Sequence, residues 1–222
     1  MQRMVVAIMA KAPRAGEVKT RLCPPLSTNE AAELYRCLLL DKIEQVRTVT
    51  KAIPAIAFTP DEGRTFFEEV APGFLLLPQR GGDLGVRLAH NFDQLLAKGY
   101  TGALAIDTDT PTLPTHFLEL ALDLIATPAI DLVLGPSEDG GYYLIGLRKL
   151  YRELFEEIAW STAEVMPETI RRAEAKGLKV ATLPVWFDVD TPDDLERLKA
   201  SLKSAAESTA RHTRRFMKER AA

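Results

Sequence analysis

The stretch Met4-Val5-Val6-Ala7-Ile8-Met9-Ala10 runs directly into Lys11-Ala12-Pro13-Arg14-Ala15-Gly16-Glu17-Val18-Lys19-Thr20-Arg21. An apolar, partly β-branched run of this length, closed by charge and proline, reads as a buried strand and is far too short to span a bilayer. A buried strand that ends in a cation-rich loop is the opening unit of an open α/β sheet. In such sheets, ligands collect beyond the carboxyl ends of the strands.

The pattern repeats. Short apolar runs at Ile53–Phe58, Phe74–Leu77, Ala103–Ile106, Asp131–Leu134, Tyr142–Leu147 and Lys179–Leu183 alternate with amphipathic segments near residues 28–49, 61–70, 84–98, 115–126, 162–176 and 192–205. The alternation predicts an α/β fold of parallel strands joined by covering helices. Ser27 with Glu30, Ser161 with Glu164 and Thr191 with Asp194 each place an acid three residues after a hydroxyl, the pattern of a helix-capping box, and Pro192 suits a first helical position. No repeat, linker or break in composition divides the chain. Residues 1–200 are therefore expected to form one domain and residues 201–222 a helical extension. Its Arg211, Arg214, Arg215, Lys218 and Arg220 make either a solvated basic face or a docking element.

A chain of 222 residues is long enough for one well-buried domain, and 46% hydrophobic with 27% charged residues excludes global disorder. The net charge of −3 offers no basic excess for a broad nucleic-acid surface. With no apolar stretch of membrane-spanning length, the expectation is a cytoplasmic protein without a nucleic-acid partner or a transmembrane segment. Cys23, Cys37, His90, His116 and His212 show no zinc-ligand spacing.

Chemistry concentrates after the strands. Lys11, Lys19 and Arg21, with Gly16 among them, suit a nucleotide's phosphates, although Glu17 and Val18 separate Gly16 from Lys19-Thr20, so this is no Walker loop. Asp107 and Asp109 end a strand within Asp107-Thr108-Asp109-Thr110-Pro111; they either cap turns or face a hard divalent cation. Asp188 and Asp190 alternate along an extended stretch and therefore point to one side, where either is placed to complete a site begun by Asp109. In Gln79-Arg80-Gly81-Gly82-Asp83, the glycines permit close approach of a base or ribose to the backbone, with Gln79 and Asp83 offering hydrogen bonds; a helix entry capped by Asp83 is the alternative. Glu138 and Asp139 precede a Gly140-Gly141 turn where an acceptor would sit, with Tyr142, Tyr143 and Trp160 either walling that pocket or packing in the core.

Taken in order, KAPRAGEVKTRL, QRGGDLGVRL, DTDTPTLP, LGPSEDGGYYLIGL, the AWST of residues 159–162 and FDVDTPDDL resemble the glycosyltransferase-like family associated with radical-SAM and selenium-related gene sets, also labelled arsenosugar biosynthesis glycosyltransferases. The resemblance runs from Lys11 to Leu198. That family is similar to the nucleotide-diphosphosugar transferase fold, GT-A, with a mostly parallel sheet sandwiched by helices, which also houses guanylyltransferases. The resemblance implies a nucleotide half built from the N-terminal segments and an acceptor half built from the C-terminal ones. It places Asp109 at the metal-binding acid and the Asp188/Asp190 pair at a second metal ligand; where Asp107 stands, relatives often carry a small residue.

The reaction expected from these residues is Mg²⁺- or Mn²⁺-assisted transfer of a sugar from a nucleotide diphosphosugar to a small-molecule acceptor. Lys19, Arg21 and the metal would stabilise the departing diphosphate, and Asp139 or Glu138 would deprotonate or position the acceptor. The alternatives are a nucleotidyltransferase joining an NTP to a phosphorylated small molecule, and a non-catalytic nucleotide-sugar-binding protein.

Overall fold

In the computed structural model, which describes residues 3–221, seven strands form one sheet in the spatial order β3-β2-β1-β4-β6-β5-β7. They are β1 (Met4–Lys11), β2 (Ala52–Thr59), β3 (Leu75–Pro78), β4 (Gly102–Ile106), β5 (Leu132–Pro136), β6 (Tyr142–Leu147) and β7 (Val180–Thr182). The helices are α1 (Thr28–Thr48), α2 (Arg64–Val70), α3 (Leu84–Ala97), α4 (Thr115–Ala126), α5 (Val165–Ala175), α6 (Pro192–Ser204) and α7 (Arg211–Ala221). Strands β1–β7 and helices α1–α6 thus lie where the hydrophobic pattern predicts them, and α7 falls within the expected C-terminal helical extension.

Helices on both faces bury β1 completely from Val5 to Ile8, and the two-residue period of a strand divides its side chains between two cores. Val6 and Ile8 pack with Leu39 and Ile43 of α1 and Leu118 and Leu122 of α4. Val5 and Ala7 pack with Leu88 and Phe92 of α3. Transfer of a buried Leu or Phe side chain from water contributes roughly 1.5–3 kcal/mol, so this two-sided burial fixes the sheet before any polar contact matters.

The mostly parallel sheet has one exception, and one expected helix cap needs correction. β6 is antiparallel to both β4 and β5, because residues 137–141 turn the chain too tightly for the crossover a parallel strand requires. Ser161 does not cap α5; it takes a left-handed backbone (φ 65), and the helix starts at Val165 after Glu164 with no side-chain cap. The capping boxes at Ser27–Glu30 and Thr191–Asp194 form as the sequence predicts.

The basic C-terminal segment lies against α1. The Asp41 carboxylate accepts the backbone N–H groups of His212 and Thr213, each at 2.9 Å, and so caps α7 from outside the helix. Arg214 donates to the carbonyls of Leu202, Ala205 and Ala206, and Arg220 reaches Glu30 and the Pro25 carbonyl. Among the described residues, no helix is long and apolar enough to cross a membrane.

Candidate active site

At the carboxyl edge of the sheet, a cleft of about 300 Å³ is lined by Lys11, Lys19, Arg21, Gln79, Asp109 and Asp190, together with Tyr35, Thr108, Leu84 and Arg87. Lys19 stands at its centre. Its side chain is only 4% exposed, and its ammonium lies 2.7 Å from Asp109 and 2.8 Å from Asp190. Burial opposes the charge, but the two carboxylates outweigh it and hold the lysine pKa above its ordinary value. The residue also has a left-handed backbone (φ 48), which costs a non-glycine about 1–2 kcal/mol and is held here by the paired side chain.

Asp190 lines this cleft, and Asp188, two residues earlier, lies outside its lining. Val189 donates its N–H to the Asp109 carbonyl at 2.9 Å, Trp186 donates to Pro136 at 3.0 Å, and the Val189 side chain is fully buried. With Val189 turned inward, Asp190 meets Asp109 across the Lys19 ammonium, and Asp188 lies close enough to feel the Asp109 charge. Asp190 is held below its usual pKa, since Lys19 and Arg21 overcome the effect of burial. Asp188 goes the other way: burial, then the charges of Asp139, Asp190 and Asp109, push it up to about 6. Lys11, Lys19, Arg21 and Arg87 face the carboxylates of Asp109 and Asp190 here, and hard carboxylate oxygens suit a divalent cation such as Mg²⁺ or Mn²⁺. Asp109 and Asp190, with Asp188 nearby, could hold one.

Asp107 is set apart from Asp109 and Asp190. It does not line the cleft; its Oδ1 accepts the Thr110 hydroxyl at 2.7 Å, and burial raises its pKa while the same burial lowers that of nearby Lys42. Among the described residues, the only His/Cys/Asp/Glu group with ligand atoms already within 4.8 Å of one another is Asp41, Glu44 and His212. Those side chains are engaged in capping α7 and pairing with Arg211.

Glu138 is committed to a two-pronged ion pair with Arg197, one contact at 2.7 Å, which lowers its pKa and turns it from the cleft's chemistry. Asp139 accepts from Ser137 Oγ at 2.7 Å and from the Gly141 N–H at 2.9 Å, and its charge is felt by Asp188. Gly140 (φ 90) packs so closely on Ala163 that an added Cβ would come within 2.5 Å of its backbone. Ala163, directly after the AWST segment, and the Met166 N–H, which donates to the Gly140 carbonyl at 2.9 Å, thus hold the chain to the acidic turn. Gln79 donates its amide N–H groups to the Ala10 and Ala57 carbonyls, at 3.2 and 2.7 Å, which leaves only its carbonyl oxygen as a free side-chain group.

Other predicted groups are not brought into this cleft. Gly16 and Gly82 lie outside its lining, and so do Glu138, Asp139 and Asp188. Gly81 and Asp83 line a neighbouring cavity of about 640 Å³ with His90 and Arg152, and Asp83 caps α3 by accepting the Val86 N–H at 2.8 Å. Tyr143 is buried with its hydroxyl on the Pro184 carbonyl, while Tyr142 meets Trp160 edge-on at 6.4 Å, so these aromatics pack rather than wall a pocket. Tyr35, Thr108, Leu84 and Arg87 join the cleft without having been singled out by the sequence. Tyr35 accepts the Lys11 backbone N–H at 2.8 Å, yet nothing local distinguishes it from a helix core residue.

The raised pKa of Asp188 has a consequence for stability. A carboxyl whose folded pKa exceeds its ordinary value of 3.8 supports folding most below about pH 4, and that contribution is lost as pH rises through about 6. Asp188→Asn is therefore expected to raise the metal-free thermal midpoint by a few degrees at pH 7.5 and to leave it unchanged at pH 4. A lowered midpoint at pH 7.5 in scanning calorimetry would overturn this account of its surroundings.

Residues 42–162, just over half of the chain, match the family described as "Uncharacterized protein conserved in bacteria (DUF2064)". A crystal structure from Desulfovibrio desulfuricans G20, provisionally named a nucleotide-diphospho-sugar transferase, is 31% identical with a TM-score of 0.90, covering 99% of this chain and 95% of that one. CMP:2-keto-3-deoxy-manno-octonic acid synthetase, solved with CTP, is 14% identical with a TM-score of 0.57 over 91% and 99% of the two chains. A cytidylyltransferase from Leptospira borgpetersenii is 14% identical with a TM-score of 0.60 over 99% and 95%. The last two share the fold alone. No curated protein sequence matches the chain. The sheet order and flanking helices are those of the nucleotide-diphosphosugar transferase-like α/β fold, and the chain belongs to the DUF2064 family.

Proposed function

We propose that this transferase-type protein moves a sugar from a nucleotide diphosphosugar to the hydroxyl of a small acceptor, with Mg²⁺ or Mn²⁺ held by Asp109, Asp188 and Asp190. The observation that carries this reading is the meeting of Lys11, Lys19 and Arg21 with Asp109 and Asp190 around one cleft. A metal bound there supplies neutralisation of the diphosphate charge. Lys19 and Arg21 bind the phosphates and stabilise charge building on the departing diphosphate. Asp139, beside Asp188, positions the acceptor hydroxyl or takes its proton, a role that Glu138 cannot fill while paired with Arg197.

The acidic surroundings of Asp188 favour a neutral hydroxyl over a phosphorylated acceptor, which those carboxylates would repel. Hydroxylated compounds of the kind named for the arsenosugar family fall within this class. Nucleotidyl transfer is the second reading, supported by the fold shared with a synthetase solved with CTP and by a loop rich enough in cations for a triphosphate. A panel of NDP-sugars and NTPs with Mg²⁺ or Mn²⁺ separates them. NDP release from a sugar donor, without pyrophosphate, is expected. Pyrophosphate formed from an NTP only with a phosphorylated acceptor would promote the second reading, and metal-dependent binding with no product from any donor would favour a binding protein.

A further inference from the structure

We infer that Lys42, Thr110 and Asp107 form a buried bracket that sets the position of Asp109, making them positioning residues for the cation that touch neither it nor the nucleotide. The inference rests on the metal reading above.

Lys42 projects from α1 and is 1% exposed. An ammonium withdrawn from water is costly unless it is partnered, and Lys42 finds its partners on the loop that carries Asp109. Its Nζ donates to the Thr110 carbonyl and to Thr110 Oγ1, each at 3.0 Å. Lysine has no acceptor, so the Thr110 hydroxyl must spend its own proton elsewhere, and it does so on Asp107 Oδ1 at 2.7 Å. The chain Lys42 to Thr110 to Asp107 thus links an amine at one end to a carboxyl at the other.

Asp109 lies inside the span that this bracket closes. Thr108 donates to Asp109 Oδ1 at 3.0 Å, the Asp109 carbonyl accepts from Val189, and the Asp107 N–H is held by the Tyr143 carbonyl at 3.0 Å. The span 107–110 is thus pinned at its start by β6, in its middle by the Asp188–Asp190 segment and at its end by α1. Asp109 is the side chain in that span that reaches Lys19. Releasing the α1 end frees Asp109 to shift relative to Asp188 and Asp190.

Thr110→Val keeps the shape and the β-branch but removes the hydroxyl, whereas Thr110→Ser keeps the hydroxyl. In calorimetric titration of the full chain with Mn²⁺ alone, Thr110→Val is expected to weaken binding by about tenfold or more, the range found when partners of metal ligands are removed. Thr110→Ser is expected to retain the wild-type affinity. Lys42→Met should weaken binding comparably, and the double variant with Thr110→Val should lose little more than either alone, since both break the same chain of bonds. Wild-type affinity in Thr110→Val, or a Thr110→Ser as weak as Thr110→Val, would overturn the bracket. The Thr110 pair decides even where Lys42→Met fails to fold. A wild-type chain that takes up no Mn²⁺ would instead bring down the metal reading, and the bracket with it.

Discussion

Asp109→Asn is expected to lower Mn²⁺- or Mg²⁺-dependent affinity for a nucleoside diphosphate by about 100-fold, which is about 2.8 kcal/mol at 1.4 kcal/mol per decade. The substitution preserves the shape of the side chain and removes its charge, so a hard cation loses the ligand fixed nearest the other carboxylates. Asp109 is also the backbone anchor of the acidic segment, through its carbonyl and the Val189 N–H, and Asn leaves that anchor intact. Affinity measured in EDTA should change far less than affinity measured with metal. Calorimetry under both conditions makes the comparison, and unchanged metal-dependent affinity would remove Asp109 from the site.

Lys19→Met should act on stability and on phosphate binding together. It leaves Asp109 and Asp190 facing each other without the cation that now bridges them, and breaking a buried pair on one side is strongly destabilising. The thermal midpoint in EDTA is expected to fall, and added Mn²⁺ to recover part of the loss by returning positive charge to the same carboxylates. Nucleoside diphosphate should bind less tightly by roughly 1.5–3 kcal/mol, the magnitude of a charge-assisted contact, with the bare nucleoside little affected. Arg21 provides the control, since its side chain is 64% exposed and lies 3.9 Å from Asp190. Arg21→Ala should lose diphosphate affinity with no change in midpoint. Equal losses for diphosphate and nucleoside in both variants would mean that the loop serves only the fold.

Much of the architecture was legible because strand and helix positions follow from local hydrophobic period. A run such as residues 103–106, apolar throughout, admits few readings other than a buried strand, and the Thr191–Asp194 box marks its helix start by chemistry within four residues. Ser161 shows the limit. Its spacing to Glu164 satisfies the same pattern, yet the neighbouring segment is held against Gly140 and Gly85, and that packing overrides the cap. The antiparallel direction of β6 was likewise hidden in the length of one turn.

By itself, the sequence determined the alternation of strands and helices, the cation-rich loop after β1, and the carboxylates of Asp109, Asp188 and Asp190 as candidate ligands, because each is a local pattern of residue type and spacing. Only the tertiary structure decided which of these groups meet. The Val189–Asp109 bond joins residues far apart in the chain, Arg197 takes Glu138 out of the acidic set, and Lys42 reaches Thr110 from another helix. Such pairings depend on burial and on the crossing of elements in space, where a charged group accepts whatever partner the fold leaves within reach once water is excluded.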